Sequence, residues 1–274
     1  MDDVAFQGEH GAYSELAAFN HFGRKVQTSP CRTFRELFER VERSHAAYGM
    51  VPVENSTAGD VNENYDLLLE KNLVVCGEEY LPVHHCLIGQ KGSGLKDIRR
   101  AYSHPQALVQ SQEFLDRNSI QRIEEYDTAG AVRIVKERGN KEEAAVASEL
   151  AAEIYGMKML RKRIETDSGN TTRFFVVARE QGVAGSRELK TSVVFSVKHT
   201  PGSLYCSLRG LAENNINLTK LVSRPMKGKK WEYMFYLDFE GSLKDGKVKN
   251  AIAELRKNAL FMKILGSYPK GKDF

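Results

Sequence analysis

No apolar run in the sequence approaches the ~20 residues that a membrane-spanning helix needs, which excludes that class. The four cysteines, Cys31, Cys76, Cys86 and Cys206, are scattered, and no pair is spaced C-x-x-C. This argues against a structural zinc site and a disulfide scaffold, and it suits a reducing cytoplasm. The seven histidines form no H-x-x-x-H or H-E-x-x-H pattern, so no metal is expected. There is no G-x-S-x-G elbow and no G-x-x-x-x-G-K-[ST] loop. Gly8-Glu9-His10-Gly11 lacks the dinucleotide spacing, and no suitable acidic residue completes a nucleotide fingerprint. No cofactor is therefore expected. The start, Met1-Asp2-Asp3-Val4-Ala5-Phe6, is acidic and enters a strand pattern directly, unlike a signal peptide.

What is present is an ordinary globular composition, with 41% hydrophobic and 28% charged residues over 274 positions. That length predicts about two domains. The net charge of +4 is unevenly spread. Residues 187–274 carry 17 Lys+Arg and 8 Asp+Glu, a balance of +9; residues 1–186 carry 23 and 28, a balance of −5. Such asymmetry can mark a nucleic-acid module. Here the basic residues are dispersed, and only Lys227-Gly228-Lys229-Lys230 clusters, as a solvated hairpin tip would. No nucleic-acid partner is expected.

A Gly-containing polar stretch at 179–187 reads as a linker. Before it, strand and helix patterns alternate, which predicts an α/β fold. Helices are expected at 12–22, 33–43, 61–70, 105–116, 129–138 and 149–155. Strands are expected at 4–7, 48–53, 73–75, 83–88, 144–147 and 173–178, with His84-His85 structural within an apolar strand. After the linker the order is strand 191–198, helix 202–214, strand 218–224, strand 232–239, helix 245–258, strand 262–268. This βαββαβ order is the ferredoxin-like motif.

Several turns of the first region carry hydroxyls and amides at helix starts: Gly11-Ala12-Tyr13-Ser14, Glu54-Asn55-Ser56-Thr57, Ser103-His104-Pro105-Gln106 and Asp127-Thr128-Ala129. Asn170-Thr171-Thr172-Arg173 adds an arginine at a strand start. Helix N-termini offer free N–H groups and a positive dipole end. Together these turns predict a site for a small carboxylate-bearing ligand. Ser103 and Thr128 have a plainer reading as N-caps, and Gln110, one turn past Gln106, has one as a solvent-facing residue.

At these turns the sequence resembles the prephenate dehydratases and their relatives the arogenate dehydratases. The motifs are Phe6-Gln7-Gly8 with Gly11-Ala12-Tyr13-Ser14, Val51-Pro52-Val53-Glu54-Asn55-Ser56, Ser103-His104-Pro105-Gln106-Ala107-Leu108, Asp127-Thr128-Ala129 and Asn170-Thr171-Thr172-Arg173-Phe174. The end of the chain resembles the family's ACT domain. Leu221-Val222-Ser223-Arg224-Pro225 matches its Glu-Ser-Arg-Pro motif except at Val222, and Gly202-Ser203-Leu204 stands for Gly-Ala-Leu.

The resemblance implies a two-lobed, type II periplasmic-binding-like catalytic domain at 1–181, plus an ACT domain at 189–274. Lobe one would be 1–79 with 167–181, and lobe two 80–166. It implies that prephenate loses water and carbon dioxide to give phenylpyruvate, in the cytoplasm, on the way to phenylalanine. Thr172 would act as donor to the departing oxygen, with His104 the rival acid. Arg173 would hold a carboxylate. Asn55, Ser56, Ser103, Gln110, Thr128 and Ser14 would line the pocket, and Phe174 would pack at the strand start. L-phenylalanine would bind as effector at Gly202, Ser203, Leu204, Ser223, Arg224 and Pro225, near Asn215 and Leu218, in a homodimer or homotetramer. Arogenate is the alternative substrate, and a non-catalytic amino-acid sensor the remote alternative.

Overall fold

The computed structural model describes residues 3–181, 188–226 and 232–272. The expectations for positions 182–187 of the linker and for the basic tip at 227–230 lie outside them. The chain divides into two compact units. One takes in the chain up to Tyr65 together with Glu79–Phe175, and the other takes in Asp66–Glu78 and Val176–Lys272.

The first unit opens with alternating elements: β1 (Asp3–Gln7), α1 (Tyr13–Phe22), β2 (Gln27–Cys31), α2 (Phe34–Glu42), β3 (Tyr48–Asn55), the two-residue β4 (Gly59–Asp60) and α3 (Asn62–Glu70). Next come β5 (Val74–Pro82) and β6 (Cys86–Gly89). They are followed by β7 (Arg100–Ser103), α4 (Pro105–Gln110), α5 (Gln112–Arg117), β8 (Gln121–Glu124), α6 (Thr128–Arg138), β9 (Glu143–Ala147), α7 (Glu149–Tyr155) and β10 (Lys158–Arg161). The chain then returns through β11 (Thr171–Ala178). The first sheet has the order β2-β1-β3-β11-β5, with β4 paired to β3; the second has the order β10-β6-β9-β7-β8. Helical crossovers keep β1 parallel to β2 and β3, and β7 parallel to β8 and β9. Helices α1 and α4 therefore start just past the strands β1 and β7, where open α/β sheets bind ligands.

Local sequence explains most elements. Helix α2 buries Leu37, Phe38 and Val41 on one face, and Thr33 caps it by accepting from the Glu36 N–H. Strand β9 is buried along its whole length, which its Ala-Ala-Val-Ala run allows. Helix α6 is capped by Asp127 and closed by Gly139 in the left-handed conformation.

The structure corrects three expectations. The helix at 105–116 is two short helices meeting at Ser111, which serves both as the end of α4 and the start of α5. The strand at 83–88 begins only at Cys86, because the N–H groups of Val83 and His85 donate to Asn170 O and Glu165 Oε2 instead of a ladder. Ser103 and Thr128 are not N-caps, since His104 caps α4 and Asp127 caps α6. Strands β2, β7, β8 and β10 carried too little apolar pattern to be read; β2 is Gln-Thr-Ser-Pro-Cys.

The second unit contains β12 (Leu189–Val197), α8 (Ser203–Glu213), β13 (Leu218–Pro225), β14 (Tyr233–Glu240), α9 (Gly246–Asn258) and β15 (Ala259–Pro269). This is the expected βαββαβ order. The sheet runs β13-β14-β12-β15, antiparallel throughout. Its core packs Val193, Phe195, Leu237 and Phe239 of the sheet with Leu211 of α8 and Val248, Ala251 and Leu255 of α9. The segment 66–78 is tied into this unit by ionic contacts. Lys190 Nζ meets Glu78 Oε2 at 3.0 Å with both side chains buried, and Arg224 meets Asp66 at 2.6 Å. Lys263 Nζ caps the end of α3 through the carbonyls of Leu68, Leu69 and Lys71. Among the described residues no helix is long and apolar enough to cross a membrane.

Candidate active site

The first unit holds a cleft of 420 Å³, a size that suits a small metabolite. It is built from chain segments far apart in sequence. The start of α1 contributes Ala12, Tyr13 and Ser14; the ends of β3 and the start of β11 contribute Asn55, Thr172 and Phe174; α4 contributes Gln106 and Gln110; the start of α6 contributes Asp127 and Thr128. His85, from the link between β5 and β6, closes one side.

The start of α1 is shaped from beneath. Glu15 is 1% exposed, yet its carboxylate accepts from the Gly11 N–H at 2.6 Å and from Thr28 Oγ1 at 2.7 Å, and lies 2.7 Å from His10 Nδ1. Gly11 has φ +94, and a Cβ there would sit 2.6 Å from Ala151 Cα. Only glycine fits that conformation and that approach. The N-cap position, Ala12, makes no side-chain cap, and Ala12, Tyr13 and Ser14 at this helix start line the cleft.

Strand alternation places the motif at β11. Thr172 and Phe174 line the cleft, and Arg173 between them projects to the opposite face. Arg173 is 4% exposed, its guanidinium lies 4.7 Å from the Phe175 ring centroid and 5.9 Å from that of Tyr80, and it meets Glu54 at 3.9 Å. It is not among the residues lining the cleft. Ser56 bonds Gly169 O and the Thr171 N–H, and Ser103 is fully buried with its hydroxyl on Val146 O. Neither faces the cleft. Of the expected site residues, Ser14, Asn55, Gln110, Thr128 and Thr172 come together there, and Phe174, at the strand start, lines the cleft as well.

The polar contacts form a network. Asn55 Nδ2 donates to Thr172 Oγ1 at 2.9 Å and to Asn170 Oδ1 at 2.8 Å. Asn55 Oδ1 accepts from the N–H groups of Thr57 and Ala58 and from Thr57 Oγ1. Gln110 Nε2 donates to Thr57 Oγ1 at 2.7 Å, and Gln110 Oε1 lies 2.9 Å from His85 Nε2. His85 Nδ1 lies 2.7 Å from the Tyr13 hydroxyl. Burial pushes the His85 pKa down and that of Tyr13 up, so both stay neutral near pH 7. Burial also raises the Asp127 carboxyl, against the lowering effect of the Gly130 N–H it caps.

Sequence reasoning missed Tyr13, Thr57 and His85 as parts of the site. Tyr13 and Thr57 stood inside the quoted turns, and that was the available signal. His85 was read as a strand residue, whereas it lies between strands with its ring in the cleft. His104 lines the cleft, and one ring nitrogen accepts from the Gln106 N–H at 3.3 Å. Among the described residues no group of three His, Cys, Asp or Glu side chains is arranged to hold a metal ion.

A family model described as prephenate dehydratase matches residues 4–182. Arogenate dehydratase/prephenate dehydratase 2 of Arabidopsis thaliana is 43% identical over 276 residues, covering 97% of this chain and 72% of that protein. The structure of prephenate dehydratase in complex with L-Phe from Arthrobacter aurescens has a TM-score of 0.89 at 29% identity, covering 98% of this chain and 90% of that one. A structure described as GqqA, a novel type of quorum quenching acylases, has a TM-score of 0.90 at 38% identity and 97% coverage of both chains.

The lowered pKa of His85 has a consequence for stability. As pH falls through about 6.5 an unfolded imidazole takes up a proton that the buried ring resists. Stability is therefore full above that pH and lost below it, toward the folded pKa. Melting temperatures measured from pH 7.5 to 5.5 should fall less steeply for His85→Gln than for the wild type. Equal slopes would contradict this.

Proposed function

The chain belongs to the prephenate dehydratase family, and on that premise we propose that it converts prephenate to phenylpyruvate, water and carbon dioxide. The observation that carries this reading is the Thr172 hydroxyl. It faces the cleft and accepts from Asn55, while its own hydrogen has no acceptor among the described residues. In the reaction the ring-carbon–carboxylate bond breaks and CO2 leaves. The electron pair enters the ring, which becomes aromatic as the C–O bond on its far side breaks. The departing hydroxide takes up a proton from solvent to become water. A threonine hydroxyl is a weak acid, so Thr172 stabilises the departing oxygen as a hydrogen-bond donor.

The substrate is a dianion, yet among the described residues the cleft lining holds neither Lys nor Arg. Its carboxylates fall to neutral donors: Ser14 and the uncapped start of α1, and Thr128 at the start of α6. Arg173 we assign to bracing β11 from its other face. The catalytic domain is proposed to span 1–181, with lobes at 1–79 plus 167–181 and at 80–166. The four free cysteines, Cys206 exposed among them, fit a reducing compartment such as the cytoplasm.

Arogenate, with an amine in place of the side-chain keto group, is a second substrate, favoured by the likeness to an Arabidopsis enzyme named for both activities. An acylase reading, prompted by GqqA, needs a nucleophile activated by a base. Here the ring of His85 is engaged by Tyr13 and Gln110, and Thr172 by an amide.

The unit that ends the chain is proposed as an ACT regulatory domain, at 189–274, that binds L-phenylalanine. Ser203 and Leu204 line a cavity of 380 Å³ with Val197, Pro201 and Phe235, beside Gly202 at the start of α8. Ser223 pairs with Phe235 across β13 and β14, with Arg224 and Pro225 following. Asn215 and Leu218 lie beyond the other end of α8, about 18 Å away by helix rise. One amino acid cannot touch both ends of one helix, so the full set requires a second copy. Strand β13 is a sheet edge with Leu221 40% exposed, open to such a copy.

Two measurements test this reading. Purified protein should form phenylpyruvate from prephenate, and Thr172→Ala should lower kcat by roughly 100-fold, about 3 kcal/mol, while Thr172→Ser keeps much of it. An alanine variant within a few-fold of wild type would reject Thr172 and turn attention to His104. Calorimetry should show phenylalanine binding to a dimer or tetramer, with turnover inhibited. Absence of binding would leave the second unit a dimerisation module.

A further inference from the structure

We propose that Thr57, Gln110, His85 and Tyr13 are positioning residues forming a one-way hydrogen-bond chain that polarises Asn55 and, through it, the Thr172 hydroxyl whose hydrogen is left for the substrate. The inference rests on Thr172 being the donor. The direction follows from two backbone groups. The N–H groups of Thr57 and Ala58 point at one atom of the Asn55 side chain, at 3.1 and 2.9 Å, so that atom is the oxygen. The Asn55 nitrogen must then face Thr172 Oγ1, and the hydroxyl of Thr172 accepts there.

The same logic propagates away from Thr172. Asn55 Oδ1 lies 2.8 Å from Thr57 Oγ1 and can only accept, so Thr57 spends its hydrogen on it; the next acceptor, Asn170 Oδ1, is at 3.5 Å. Thr57 Oγ1 must therefore accept from its other partner, and Gln110 turns its amine to it. Gln110 then presents its oxygen to His85, so His85 carries its hydrogen on Nε2. The neutral ring accepts at Nδ1, and Tyr13 donates to it, with His84 O as its second acceptor at 3.0 Å. Every group from Tyr13 to Asn55 gives its hydrogen toward the next. The last hydrogen, on Thr172, is left for the cleft.

Two amides, Gln110 and Asn55, lie in the chain, so it passes orientation and polarisation and no proton. Its value lies in what it forbids. Without it, the Asn55 oxygen loses the Thr57 hydroxyl as one of its three donors and the polarisation passed through Asn55 to the Thr172 hydroxyl weakens, while the backbone N–H groups of Thr57 and Ala58 keep the amide the same way round. Thr57 is exposed and does not line the cleft, so its hydroxyl is removable without opening a cavity.

The test compares Thr57→Val and Thr57→Ser in the full chain, alone and with Thr172→Val, at saturating and limiting prephenate. Thr57→Val should lower kcat about ten-fold with KM within two-fold, and Thr57→Ser should restore most of it. In the Thr172→Val background, Thr57→Val should change kcat by less than two-fold, because it acts through the hydroxyl already removed. A Thr57→Val enzyme at wild-type kcat beside an inactive Thr172→Val would reject the chain and leave the donor reading standing. A rise confined to KM would make Thr57 a binding residue and also reject it. A Thr172→Val enzyme at wild-type kcat would remove the donor, and the proposal with it.

Discussion

The side-chain amide of Asn55 is the constraint on which the site depends. It is 7% exposed, and every hydrogen-bonding position it has is taken. Its nitrogen spends both hydrogens, on Thr172 and Asn170, and its oxygen collects three donors from the turn after β3. A saturated buried amide has one orientation, because a flip would face donors with donors. That joins the end of β3 to the start of β11, neighbouring strands that are 115 residues or more apart in the chain at these positions. The Thr172 hydroxyl then has one acceptor role already filled and one hydrogen to give.

Among the described residues that line the cleft there is no Lys or Arg, and the donors there are neutral. Glu15, buried below the first turn, ties Gly11 and Thr28 together, and no side chain caps the start of α1, whose residues Ala12, Tyr13 and Ser14 line the cleft. A lysine there would bind a product carboxylate as firmly as a substrate one. Fixed dipoles cost no reorganisation as charge moves from the lost carboxylate to the departing oxygen. Arg173, stacked on Phe175 and beside Glu54, stiffens the strand that carries Thr172.

Elements with a strong local period were legible in the sequence. Phe34, Leu37, Phe38 and Val41 marked α2, and the βαββαβ order of the second unit followed from clean alternation and turn residues. Elements without such a period were not legible: β2 is polar, β7, β8 and β10 are four residues long, and the break at Ser111 carries no Gly or Pro. At the site, Asn55, Gln110 and Thr172, which the motif resemblance singled out, line one cleft. It gave Arg173, Ser56 and Ser103 the same standing, because a motif does not say which face of a strand a residue occupies. The Gln110–Thr57 and Tyr13–His85 contacts span 53 and 72 positions, and no local pattern announces them.

Asn55 holds the Thr172 hydroxyl in its donating orientation. The most direct measurement is the rate of phenylpyruvate formation by Asn55→Ala at saturating prephenate, on protein shown by its melting transition to be folded. A fall of about 30-fold or more, roughly 2 kcal/mol in the barrier, is expected. A folded Asn55→Ala enzyme turning over within three-fold of wild type would contradict it.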